Sequence, residues 1–170
     1  MIRHIRLFIA LFLLSCAFAF QAGPAQAADA SKLYLPGDLN MGQAHTAVNS
    51  AVDYAQKNGL LMNIAVVDAG GNLKAFIRMD GAYLASIDIA IRKAKTARSL
   101  NMSTLELGKA AQPGQPLYGI EVLDGTMAIF GGGELLKNKD GLIIGAIGVS
   151  GDSVENDVAT AKAGAAALLK

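Results

Sequence analysis

Ala65-Val66-Val67-Asp68-Ala69-Gly70-Gly71-Asn72-Leu73 joins a run of strand formers to five residues of turn chemistry and then resumes extended character. β-Branched side chains suit a pleated surface, while Asp, Gly and Asn fold back on their own backbone or accept left-handed dihedrals. The stretch reads as a β-hairpin, with strands over 60–67 and 73–79 and a turn at 68–72.

On either side of the hairpin the period changes. Met41, Ala44, Val48, Val52 and Ala55 recur at three- and four-residue steps, Asp38 or Asn40 can cap the start and Gly59 can close the end, which predicts a helix over 40–58. Leu84, Ile87, Ile91, Ala94 and Ala97 or Arg98 predict a second helix over 83–100. A short helix over 104–111 precedes a loop at 112–116, because Pro113 and Pro116 lack an amide donor. Then come a strand at 127–130 running into Gly131-Gly132-Gly133, a short strand at 134–137, a turn at Asn138-Lys139-Asp140-Gly141 and an apolar strand over 142–150 covered on both sides. A helix over 153–169 ends the chain. The expected fold class is α+β: an antiparallel sheet of about five strands flanked by helices, in one domain without repeats.

The N-terminus reads as a targeting segment. Arg3 and Arg6 precede an apolar run over 7–20, and Ala25-Gln26-Ala27 offers small residues to a signal peptidase, so residues 1–27 are expected to be a signal peptide and 28–170 the mature domain. The run is shorter than the ~20 residues a spanning helix needs. Leu13-Leu14-Ser15-Cys16 loosely resembles a lipobox, the minority alternative, in which a lipidated Cys16 would start the mature chain. The expected location is periplasmic or secreted. Cleavage would leave thirteen Lys plus Arg against fourteen Asp plus Glu, a balance that gives no electrostatic reason to bind nucleic acid or an anionic membrane. It would also leave no cysteine, hence neither disulfides nor a thiolate metal site.

Few residues carry recognisable chemistry. Gly131-Gly132-Gly133 follows a strand, where close backbone approach to a ligand or a tight turn wants no Cβ, yet it spells neither a dinucleotide nor a phosphate loop. Gly148-Val149-Ser150-Gly151 lacks the final glycine of a nucleophile elbow, since Asp152 stands there. Arg92, Lys93, Lys95 and Arg98 form a basic run that is either a solvated face or a place where Lys93 or Arg98 meets a carboxylate of a ligand or partner subunit. His45 falls beside the apolar stripe of the first helix and is the one imidazole of the mature chain. It serves either as a hydrogen-bonded core or interface residue or as the commonest axial nitrogen for a haem iron. No nucleophile stands with a base, so the residues themselves lean away from acid–base or covalent catalysis.

Several motifs in order are similar to a known family: the hairpin stretch above, Arg78-Met79-Asp80-Gly81-Ala82, Lys93-Ala94-Lys95-Thr96-Ala97, Phe130-Gly131-Gly132-Gly133 and Gly145-Ala146-Ile147-Gly148-Val149-Ser150-Gly151, with Asp157 and Ala163-Gly164 after them. Over 38–170 the chain resembles the GlcG/HbpS family of small haem-binding proteins, and also the C-terminal domain of PduO-type proteins. The resemblance implies a profilin-like or PAS-like arrangement, association into symmetric homo-oligomers and haem as cofactor, with redox sensing or haem breakdown in some members. It implies His45 as the iron ligand, matching a first-helix histidine of PduO-like relatives, and a role for Thr104 or Ser103 after the second helix. Glu134 departs from the small or apolar residue and proline frequent after the glycines.

Three functions compete on this reading. One is an exported haem-binding protein for storage, sensing or redox protection, with His45 on the iron and Lys93 or Arg98 on the propionates. A second is a module for a small organic acid or metabolite, whose carboxylate would meet backbone amides of Gly131, Gly132, Gly133 and the 148–152 turn. The third is an oligomeric accessory protein of an exported redox system.

Overall fold

Two strands of this chain are apolar on both faces, and that sets the layering. The computed structural model describes residues 37–123 and 125–169. In it β1 (Asn63–Asp68) and β4 (Ile143–Ser150) pair antiparallel at the centre of a four-stranded sheet, with β2 (Leu73–Arg78) and β3 (Gly133–Lys137) outside them in the order β2-β1-β4-β3. Alternation sends Ile64, Val66, Ile147 and Val149 to one face, where α1 (Met41–Lys57) and α4 (Val154–Ala166) cover them. Ala65, Val67 and Ala146 go to the other, under α2 (Ala85–Leu100). Each fully buried Val or Ile contributes about 1.5–3 kcal/mol, so this double burial is the main source of stability.

α2 lies unusually close to the sheet. Its contact stripe is Ala90, Ala94 and Ala97, and β4 answers with Gly148, where an added Cβ would stand 2.5 Å from Ala94 N and overlap Ala90 O. Gly148→Ala is therefore expected to destabilise the fold by about 1–3 kcal/mol as α2 is forced outward. Thermal unfolding checks this; an unchanged Tm would mean that the helix reseats without loss.

Local signals account for most boundaries. Asn40 caps α1 in a reciprocal box with Gln43, and Asp38 instead accepts Leu39 N and Ala69 N, tying the entry of α1 to the hairpin turn. Asp68 Oδ1 accepts Gly70 N and Asn72 N at 2.9 Å each, which closes that turn. Ser103 and Glu106 box the start of α3 (Thr104–Ala110), and Ser153 caps α4. A 3-10 turn, Ile120–Val122, interrupts the long connection to β3.

Three expectations change. The stretch 127–130 is no strand, so four strands replace about five among the described residues. Its backbone is engaged elsewhere: Thr96 Oγ1 accepts Ala128 N at 3.0 Å, and Ile129 packs on Gly108 of α3. Helix α2 starts at Ala85, not 83, because Tyr83 O accepts Asn63 Nδ2, which leaves Tyr83 and Leu84 exposed outside the helix. The last helix gives way to a 3-10 turn, Ala167–Leu169. The targeting segment expected over 1–27 lies outside the described residues.

Candidate functional site

The basic run of α2 divides as the helix turns. Arg92 and Lys95 are exposed, whereas Lys93 falls on the alanine stripe between Ala90 and Ala97 and is fully buried. Its Nζ donates to Asp157 Oδ2 at 2.6 Å and to Val149 O at 3.0 Å, and stands 4.6 Å from the centre of the Phe130 ring. Asp157, also buried, accepts Gly151 N and Asp152 N on its other oxygen. Burial pushes the Lys93 ammonium below its ordinary range and the Asp157 carboxyl above its own, and each partner's charge opposes the shift of the other.

The triple glycine wraps this pair. Gly132 has φ 119°, and a Cβ there would meet Val149 O at 2.6 Å and Lys93 Nζ at 2.8 Å. Gly133 N donates to Thr104 Oγ1 at 2.8 Å, while Gly131 abuts Val154 and Val158. Lys93, Thr104, Gly131, Gly132 and Gly133 thus converge, as an internal lock joining α2, α3, β3, β4 and α4.

This corrects two expectations. Lys93 has its donor directions taken by Asp157, Val149 and Phe130, leaving none for a propionate. Of the amides expected to meet a small acid, Gly133 N is taken by Thr104, and Gly151 N and Asp152 N by Asp157. Arg98 stands apart, with one amine on Asn101 Oδ1 at 2.7 Å and its buried Nε without a partner.

His45 turns outward. The covered stripe of α1 is Ala44, Ala47, Val48, Ala51 and Ala55, small enough to sit tightly on the sheet, and His45 is exposed together with Met41 rather than beside the core. It shares its side of the helix with Val52, seven residues on and about 10 Å along the axis. Val52 opens a cleft of about 470 Å³ between α1 and β2, walled by Leu60, Leu61, Ile77 and Met79 and edged by Arg78 and Asp80. Among the described residues no group of three or more His, Cys, Asp or Glu could hold a metal ion.

Residues 39–166 match the family described as haem degrading protein HbpS-like. The chain belongs to the HbpS-like family. This HbpS-like chain is 39% identical over 139 residues to the corrinoid adenosyltransferase PduO of Salmonella typhimurium, covering 81% of the chain and 41% of PduO. It therefore spans about two fifths of that relative's length. To protein GlcG of Escherichia coli it is 34% identical over 112 residues, 66% of the chain and 81% of GlcG. Among solved structures it is similar to the PduOC:heme complex, with TM-score 0.73 and 39% identity over 76% of this chain and 94% of that one. A double mutant of Streptomyces reticuli HbpS gives TM-score 0.71 and 36% identity over 86% and 98%.

A second cleft of the HbpS-like chain is lined mainly by charged side chains. It runs along the outer edge of β3 between α3 and α4, about 490 Å³ in volume, and contains the half-buried Glu134. Burial raises the Glu134 carboxyl above its ordinary range, Lys162 opposes this and Glu106 adds to it. A carboxyl raised on folding contributes stability that is full below its unfolded value and is lost as pH rises through its folded one. Glu134→Gln is accordingly expected to hold its Tm where the wild type declines with rising pH from about 4.5 upward. Parallel melting curves across pH 4–8 check this; superimposable pH profiles would contradict it.

Proposed function

We propose that this HbpS-like chain binds haem, with His45 on the iron and the cleft between α1 and β2 beside it receiving part of the macrocycle. The observation that carries the reading is the match, at 39% identity, to 94% of a chain whose structure is a heme complex. The residues fit the group: an exposed imidazole can reach an iron, Leu60, Leu61, Ile77 and Met79 offer apolar surface, and Arg78 is the cation at the cleft edge. Haem would supply the redox chemistry, while the chain binds and orients it. Two further features belong to this reading. The leader-like residues 1–27 support export to the periplasm or outside, and the exposed Tyr83, Leu84, Tyr118, Val122 and Leu123 support self-association.

Hemin titrated into the purified chain is expected to give a saturable Soret change, weakened at least about tenfold in His45→Ala. Saturable binding that ignores the substitution would move the ligand role to another residue, and no saturable binding would overturn the reading.

A further inference from the structure

The cleft along β3 has more cations than the fold uses. Lys109 of α3, Lys137 of β3 and Lys162 of α4 line it, and none of the three forms an ion pair among the described residues. Of the two carboxylates present, Glu106 is engaged, accepting Ser103 N at 3.3 Å and Ser103 Oγ at 3.1 Å. Glu134 remains, set among Glu106 and Lys109 from α3, Lys162 from α4 and Lys137 on its own strand. On the inner side of β3, α2 brings the Lys93 ammonium, which Asp157 pairs with. Leu105 and Leu135 give the cleft an apolar floor, and its volume is that of a small-molecule site, not of a flat protein interface.

We propose that this cleft binds a small organic polyanion, a compact body bearing two or three carboxylate or phosphate groups, held by Lys109, Lys137 and Lys162 and opposed by the charge of Glu134. Three lysines from three elements line this one cleft, more than a single anionic group can satisfy, which selects a ligand with several. Glu134 acts as the brake: ionised, it repels the ligand and competes for Lys162, and protonated it does neither. This site is separate from the proposed haem cleft, so the two can succeed or fail independently.

Citrate and pyrophosphate are the probes, titrated calorimetrically at fixed ionic strength into the wild-type chain and into Glu134→Gln, Lys162→Ala and Lys109→Ala/Lys137→Ala. Saturable one-to-one binding is expected for at least one probe, weakened about tenfold by loss of Lys162 and tightened at least about threefold by Glu134→Gln at pH 7.5. A response to citrate alone assigns the carboxylate class, and one to pyrophosphate alone the phosphate class. Absence of saturable heat with both probes overturns the site. So does binding that is equal in the wild type and Lys162→Ala while melting curves show both folded. Affinity unmoved in Glu134→Gln overturns the brake. Hemin titration of Lys162→Ala is expected to match the wild type.

Discussion

Lys93→Ala is expected to lose about 3–5 kcal/mol of folding stability, because it leaves the Asp157 carboxylate buried without its cation. Asp157 is 4% exposed and Lys93 0%, so water cannot take over the missing contact. Asp157→Ala should cost a similar amount for the mirror-image reason. Chemical denaturation of the two single variants, with midpoints compared at constant slope, measures both. The informative control is Lys93→Met with Asp157→Leu: removing both charges at nearly conserved volume should recover most of the loss. Should the single variants unfold at the wild-type denaturant concentration, the pair is not the lock described above.

Gly132→Ala carries the second large effect. Two costs act at once: a side chain at φ 119° is strained, at about 1–3 kcal/mol, and its Cβ overlaps Val149 O. Part of the clash is with Lys93 Nζ, and that part vanishes when the lysine is shortened. The double variant with Lys93→Ala is therefore expected to be more stable than the sum of the two singles allows. Strict additivity would show that the loop relaxes away from the lysine. Both variants are expected to leave the hemin response of the folded fraction unchanged, since the lock and the proposed haem cleft share no residue.

The sequence made the elements legible wherever a cap or turn residue acted locally. Asn40, Asp68, Asn138 and Ser153 hold their turns and helix starts through bonds within a few residues, so the hairpin, α1, β4 and α4 could be read directly. The stretch 127–130 misled because its strand-like composition is satisfied by Thr96 and α3, partners far away in the chain. The candidate residues were harder. Lys93, Thr104 and Gly131 to Gly133 read as ligand-contacting residues, and their packing together was not legible because Asp157, the partner of Lys93, lies 64 residues beyond it. One signal was available: Lys93 sits at the i+3 position of the alanine stripe that begins at Ala90, so its burial followed from the period of α2. His45 turned outward because α1 is seated through Ala44, Ala47 and Ala51, a narrow stripe that a period count from Met41 does not resolve.

The central pairing of the sheet also orders events in time. β1 meets β4 with Asn63 opposite Ser150, so the first strand of the sheet to be synthesised must wait for the last of the four before its second edge is filled. Closing so long a loop is slow, and until it closes the nascent chain has only the β1–β2 hairpin and isolated helices. A ribosome-bound chain halted before residue 150 should stay protease-sensitive and unwound. Such a polypeptide remains threadable through a narrow channel until its final stretch emerges.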